Sequence, residues 1–245
     1  MAKRQFALLA GLGVMLAACA TEPPAPRVDY AAILADPIRT DADRARDADR
    51  KPAELVAFAG VRPGDKIAEL APGGGYFTRI LSGVVGPEGR IYAMAARPSP
   101  ALLELATERS NVVVTVTDPG TVRAPEPVDV VWTTLNYHDF KNATVGSGDG
   151  AAAINAAAFR ALKPGGLYFV VDHDTAAGAG ASQTSTLHRI EGALVRREVE
   201  SAGFRLDSES DLLRHPSDDH SARVQETGIR GKTDQFVLRF RKPRA

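Results

Sequence analysis

The 245-residue chain contains a single cysteine, Cys19, so no intrachain disulfide forms and a disulfide-stapled fold is excluded. It has no charge excess either: Lys and Arg number 30, Asp and Glu 30, for a formal net charge of zero. That balance leaves no electrostatic footprint for a nucleic-acid backbone, and none is expected as a partner. No internal repeat is visible, which argues against a solenoid. No G-x-S-x-G elbow occurs, and the lone cysteine sits near the start of the chain, so a Ser or Cys nucleophile arrangement is not supported. Only one apolar run is long, and it is too short for a comfortable membrane span of about twenty residues.

That run opens the chain. "MAKRQFALLAGLGVMLAAC" pairs Lys3 and Arg4 with an apolar stretch from Phe6 to Ala18, the pattern of a secretory signal over residues 1–19. Leu16-Ala17-Ala18-Cys19 resembles the bacterial lipoprotein box, which implies a lipid anchor on Cys19 and attachment to a membrane. A plain cleaved signal with a chance cysteine is the alternative. Ala20 follows Cys19 instead of Asp, which the resemblance reads as an exported lipoprotein on the periplasmic face of the envelope, at the outer membrane. "TEPPAPRVDY" begins an extended, Pro-rich tether over residues 20–40, and one domain is expected over 41–245.

Within that domain the periodicity alternates. "DADRARDADRKPAELVAFAG" reads as one or two helices stopped by Gly60. Strands are expected at "DKIAEL", "GRIYAMAA", "NVVVTVTD", "VDVVWTTL" and "LYFVVDH", with helices between them, one of them N-capped by Ser99. "STLHRIEGALVRREVESAG" reads as one long helix closed by Gly203, and "FRLDSES" and "TDQFVLRF" as a last pair of strands with no helix between. Continuous apolar strands alternating with helices define an α/β fold with a doubly wound, mostly parallel sheet. The closing pair brings in an antiparallel strand.

"ELAPGGGYFT", residues 69–78, carries the sharpest local signal. Three glycines between a strand and a helix serve either as a tight packing turn or as a place where backbone passes close to a ligand.

From about residue 41 to 241 the order of elements, with "DKIAELAPGGGYF" after the first strand, "LKPGG" before the fifth and the closing pair, resembles the class I S-adenosylmethionine-dependent methyltransferase fold. "APGGGYFT", "NYHDF", "DHD", "LHRIE" and "GKTDQFVLRFRKP" also resemble a group of exported bacterial predicted methyltransferases. The resemblance implies a seven-stranded Rossmann-like sheet, S-adenosylmethionine as cofactor and a small-molecule substrate. It assigns cofactor contacts to Glu69, Ala71, Gly73, Gly74 and Gly75, with Ala71 standing where the family's first glycine does. An alanine there is compatible with the turn if its φ is negative. Asp118 resembles the acid that meets the adenine amino group in some relatives, and Asn136 falls where a substrate- or cofactor-orienting polar residue stands. One family feature is absent: Ala95 occupies the place of the acid that accepts from the ribose hydroxyls.

"LNYHDF" and "VVDHD" place His138, Asp139, Asp172, His173 and Asp174 just past two strands expected to be neighbours, at the edge where open sheets bind ligands. As acid–base machinery, His138 or His173 takes a proton from a nucleophile while an Asp fixes its tautomer. As a metal site the groups suit a divalent cation, although the spacing matches no specific motif. As structure they cap helices and brace loops. His188, Arg189 and Glu191 are candidates for a lid over the crevice, and His215 and His220 for a third wall or a solvated loop. Two functions follow: a small-molecule methyltransferase with His138, Asp139, Asp172 and His173 as its catalytic set, or an exported protein of the same fold that binds another ligand or a metal. The second draws on Ala95 and on an export signal that takes the chain away from the cytoplasmic supply of S-adenosylmethionine.

Overall fold

Strands apolar on both faces need cover on both, and the intervening helices supply it. A computed structural model describes residues 28–244 apart from Pro119. The export signal, Cys19 and the tether as far as residue 27 lie outside the described residues. Four short helices lead: α1 (Tyr30–Ala35), α2 (Asp41–Arg44), α3 (Asp47–Arg50) and α4 (Pro52–Ala59). Then β1 (Lys66–Leu70), α5 (Tyr76–Val85), β2 (Arg90–Ala95), α6 (Pro100–Glu108), β3 (Val112–Val116) and β4 (Val128–Thr134) alternate. After β4 come α7 (Tyr137–Asn142), a small hairpin of β5 (Thr144–Val145) and β6 (Gly148–Asp149), α8 (Gly150–Ala161) and β7 (Leu162–His173). Helix α9 (Gly192–Ser201), β8 (Arg205–Ser210) and β9 (Gln235–Arg241) complete the chain.

The main sheet has seven strands in the order β3-β2-β1-β4-β7-β9-β8. The pairings from β3 through to β7 are parallel, and β9 runs antiparallel between β7 and β8. This is the doubly wound sheet with a closing antiparallel pair expected from the sequence. Alternate strand residues feed two cores. Ile67, Ile91, Trp132 and Phe169 pack with Leu55, Phe77, Ile80 and Leu102 on one face. Ala68, Tyr92, Val131 and Tyr168 pack with Ile154, Val195, Val199 and Phe204 on the other. Trp132 lies between Phe77 and Phe169, with ring centroids 5.1 and 4.3 Å away, and burial of each such side chain stabilises by roughly 1.5–3 kcal/mol.

Three expectations change. The stretch read as one or two helices before β1 holds three, α2 to α4, with the left-handed Lys51 separating the last two. The extended tether expected over 20–40 is folded in its described part. Asp29 caps α1, and Ile33 lies so close to Gly83 of α5 that a Cβ there would be 3.1 Å from it. Buried Arg39 donates to both carboxylate oxygens of Asp47, which also accepts from the Tyr76 hydroxyl at 2.6 Å. Apolar burial and this ion pair hold the segment to the domain. The long helix expected from Ser185 starts only at Gly192, because His188 has φ +57° and Arg189 is committed to a buried ion pair. No helix among the described residues is long and apolar enough to cross a membrane.

Candidate functional site

The glycine turn stands at the carboxyl end of β1, and three side chains hold its carbonyls. Asn136 donates to the Ala71 oxygen at 3.2 Å, Ser99 to that of Gly73 at 3.0 Å and Arg79 to that of Gly74 at 2.8 Å. Gly73 and Gly75 have φ of +58° and +85°. A Cβ on Gly73 or Gly74 would meet nothing within 4 Å, whereas one on Gly75 would press on Leu105 at 3.1 Å. The turn is therefore packed on its Gly75 side and open over Gly73 and Gly74, as a cradle for a ligand requires. Ala71 departs from the expected backbone: its φ is +50°, not negative. An L-residue there costs roughly 1–2 kcal/mol, and the hydrogen bonds from Asn136 and from the Ala71 N–H to the Met94 oxygen hold it in place.

Glu69 is buried beneath the turn and accepts from the Thr78 hydroxyl at 2.6 Å, tying β1 to the first turn of α5. Burial pushes its carboxyl up to about 7, with the Thr78 bond acting the other way. A cleft of about 200 Å³ opens beside the turn between Leu70, Met94, Phe140 and Ile154, with Asp118 and Asp139 also lining it. Its apolar walls suit a flat ring system. The wall at the end of β2 is Met94, Ala95 and Ala96, so no carboxylate comes from that strand. Asp118 is 81% exposed and pairs with Arg123 at 3.5 Å. The sequence placed Asn136 as a ligand-orienting residue; its amide donates to Thr134 and Ala71 and braces the turn.

At the ends of β4 and β7, His138 and Asp172 come together. Asp172 is fully buried and accepts from the backbone N–H of His138 at 2.7 Å and of His173 at 2.8 Å, while the His138 Nδ1 lies 2.8 Å from its Oδ1. A carboxylate so placed fixes the ring proton on Nδ1 and leaves Nε2 with its lone pair. Burial opposes charging of His138, but the charge and hydrogen bond of Asp172 outweigh it, and the pKa stands above the ordinary histidine value. Nε2 faces His188 Nδ1 at 3.2 Å and the Asp139 carboxylate at 3.4 Å.

His138, Asp139 and His188 bring ligand atoms within 4.8 Å of one another, close enough to share a metal ion. The hydrogen-bond polarity points elsewhere. Arg223 donates to His188 Nε2 at 3.0 Å, so the His188 proton sits on Nδ1 and donates to His138 Nε2. A metal on His188 Nδ1 would need a proton on Nε2, facing the Arg223 N–H. The arrangement is a directional hydrogen-bond chain from Arg223 through His188 and His138 to Asp172.

Other residues expected at the crevice lie apart from this chain of hydrogen bonds. His173 contacts Thr233 through Nδ1 at 2.7 Å, its ring centroid is 6.2 Å from that of His138, and burial lowers its pKa to about 4. It is a neutral wall at pH 7 and lines a different cleft, of about 420 Å³, with Arg50, Leu135 and Gln235. Asp174 accepts from the N–H of Gly192 and from Arg214. Arg189 and Asp218 form a fully buried pair at 2.8 Å. Glu191 accepts from the Gly180 N–H, His215 donates its N–H to Asp234, and His220 also faces Asp234. These brace the loop before α9 and the one between β8 and β9. Sequence reasoning placed His188 in a lid and left out Arg223 and Arg50. His188 carried a signal as one of five histidines; the arginines carried none.

The glycine turn at the end of the first of seven strands ordered β3-β2-β1-β4-β7-β9-β8 defines the class I S-adenosylmethionine-dependent methyltransferase fold. No family model matches the chain. It is similar in structure to a SAM-dependent methyltransferase from Aquifex aeolicus, at TM-score 0.60 and 17% identity, covering 88% of this chain and 100% of that one. It is equally similar to the [4+2]-cyclase SpnF, at TM-score 0.61 and 15% identity, covering 91% and 98%. In sequence it is similar to a protein-L-isoaspartate O-methyltransferase of Ignicoccus hospitalis, 39% identical over 72 residues, 27% of this chain and 33% of that one. A 119-residue match at 28% identity, 45% of this chain and 36% of the other, is to a protein of Arabidopsis thaliana named as rRNA 2′-O-methyltransferase fibrillarin 3. The chain spans about a third of the length of the curated relatives it matches.

Proposed function

We propose that the protein is an S-adenosylmethionine-dependent methyltransferase acting on an oxygen or nitrogen nucleophile of a small molecule. The observation that carries this reading is the open glycine turn beside the Asp172–His138 pair. The cleft next to the turn is lined by Asp139 and Phe140, and the second cleft by Leu135, so the two flank one short segment. Fold alone is a weak warrant, since one scaffold hosts several chemistries, and a relative named as a cyclase illustrates the point. S-adenosylmethionine, when bound, supplies an electrophilic methyl group on a sulfonium.

The chain's residues fit that group in the open space over Gly73 and Gly74 and in the apolar cleft between Met94 and Ile154. Asp118 and Asp139 are the carboxylates on that cleft, and they would accept from the ribose and adenine donors, for which Ala95 supplies no acid from β2. His138 Nε2 accepts the proton of the nucleophile, Asp172 stabilises the charged ring, and His188 gives way to the substrate. A small molecule is favoured over nucleic acid by the balance of 30 cationic and 30 anionic residues and by clefts sized for small ligands. Attachment to the periplasmic face of the envelope through lipidated Cys19 completes the proposal, and Cys19→Ser is expected to release the protein from membranes.

Calorimetric titration of the full chain with S-adenosylhomocysteine tests the central claim. Micromolar binding in the wild type, lost in Gly74→Leu with an unchanged melting temperature, is the expected outcome, because Gly74 has ordinary φ and open space above it. Equal binding by wild type and variant would refute a ligand role for the turn. No binding by the folded wild type would leave the fold with a different ligand.

A further inference from the structure

The second cleft carries an unanswered positive charge. Arg46, Arg50 and Arg230 line it against a single lining carboxylate, Asp49. Arg46 shares its partner: Asp43 lies 3.0 Å from Arg46 and 3.3 Å from the buried Arg79. Arg50 stacks on Tyr76 at 4.6 Å and lies 5.6 Å from the Phe77 ring centre. Among the described residues no carboxylate pairs with Arg50, and burial lowers its pKa only to about 10, so it is charged at neutral pH. A guanidinium packed for structure alone is normally paired, because desolvating an unpaired cation is costly. Here the aromatic rings fix its orientation and leave its N–H donors without a carboxylate.

The surroundings fit one kind of occupant. The volume, about 420 Å³, lies in the range of small-ligand sites. Neutral His173 and Gln235 add polar groups without adding negative charge. Leu135, on the wall, adjoins Asn136, whose amide holds the glycine turn. The cleft therefore abuts the segment that separates it from the glycine-turn side of the sheet edge.

We propose that this cleft binds a small organic anion, through a carboxylate or phosphate group held by Arg50 with Arg46 and Arg230. That this anion is the methyl acceptor rests on the methyltransferase reading; the anion site itself does not. A planar guanidinium engages both groups through paired N–H donors, so the shared chemistry is an oxyanion and the source is left to the experiment.

The full chain, its Arg50→Gln, Arg50→Lys and Arg230→Gln variants are titrated calorimetrically with inorganic phosphate and with malonate, and separately with S-adenosylhomocysteine. At least one anion is expected to bind the wild type with millimolar or tighter affinity and to weaken by about tenfold in Arg50→Gln, as for loss of one charge-assisted contact. Arg50→Lys is expected to lie between them, and S-adenosylhomocysteine binding to remain unchanged. Preference for phosphate assigns a phosphate ester, and preference for malonate a carboxylate. Failure of both anions to bind, or wild-type anion affinity in Arg50→Gln and Arg230→Gln alike, overturns the proposal. Should Arg50→Gln fail to fold, Arg230→Gln, on an exposed loop residue, decides alone. Anion binding without S-adenosylhomocysteine binding would uphold the cleft and refute the methyltransferase reading; the reverse would do the opposite.

Discussion

Glu69 and His173 are buried groups that oppose each other in the pH dependence of stability. Burial raises the Glu69 carboxyl from 4.5 to about 7 and lowers the His173 ring from 6.5 to about 4. Between pH 4.5 and 6.5 the unfolded chain has lost the Glu69 proton while the folded one keeps it, so this group makes stability fall as pH rises. Over the same window the unfolded chain holds the His173 proton while the folded one does not, so this group makes stability rise with pH. At about 1.4 kcal/mol per pH unit each contributes about 3 kcal/mol across two units, and in the wild type the two offset each other. Glu69→Gln removes one arm. Its stability relative to wild type is expected to increase by about 3 kcal/mol from pH 4.5 to 6.5, and that of His173→Asn to decrease by a similar amount. Contributions common to all three proteins cancel in these differences. Urea unfolding at several pH values measures both, and variant curves parallel to the wild type would refute the assigned pKa directions.

Ala71→Gly relieves a left-handed alanine at the cost of a freer unfolded chain, and is expected to stabilise by roughly 0.5–1 kcal/mol; a lower melting temperature would contradict strain at this position. Arg189→Met leaves Asp218 buried without its cation and is expected to cost about 3–5 kcal/mol by chemical denaturation, whereas a loss under about 1 kcal/mol would mean that the loop yields to water. Asp172→Asn removes the charge that offsets burial of His138, so the ring's pKa, followed by NMR, is expected to drop below the ordinary histidine value. An unchanged titration would place the source of its raised pKa elsewhere.

The alternation of apolar strands and helices was legible because each element's period is local, and so were the caps at Ser99 and Gly60. The glycine turn was legible as well, since only glycine relaxes Gly73 and Gly75 into positive φ. Local pattern failed where tertiary contacts intervened. Residues 185–191 have helical periodicity, yet the Arg189–Asp218 pair and the backbone reversal at His188 override it. Ala71 was expected to avoid the left-handed region and does not, because the hydrogen bonds around it outweigh its own preference.

Function depended more on tertiary structure. The Asp172–His138 pair follows from β4 and β7 being parallel neighbours, which the order of elements already implied. The approach of His188 to His138 did not, since it depends on how a loop after β7 folds back over α7. The arginine cleft draws on α3, the ends of β4 and β7, and the loop before β9. Sequence by itself determined which segments bury apolar surface and where backbone turns sharply, because those are short-range properties of side-chain type. Only the tertiary structure decided which charges meet across the sheet edge, because electrostatic partnership depends on distance in space and is silent in chain order.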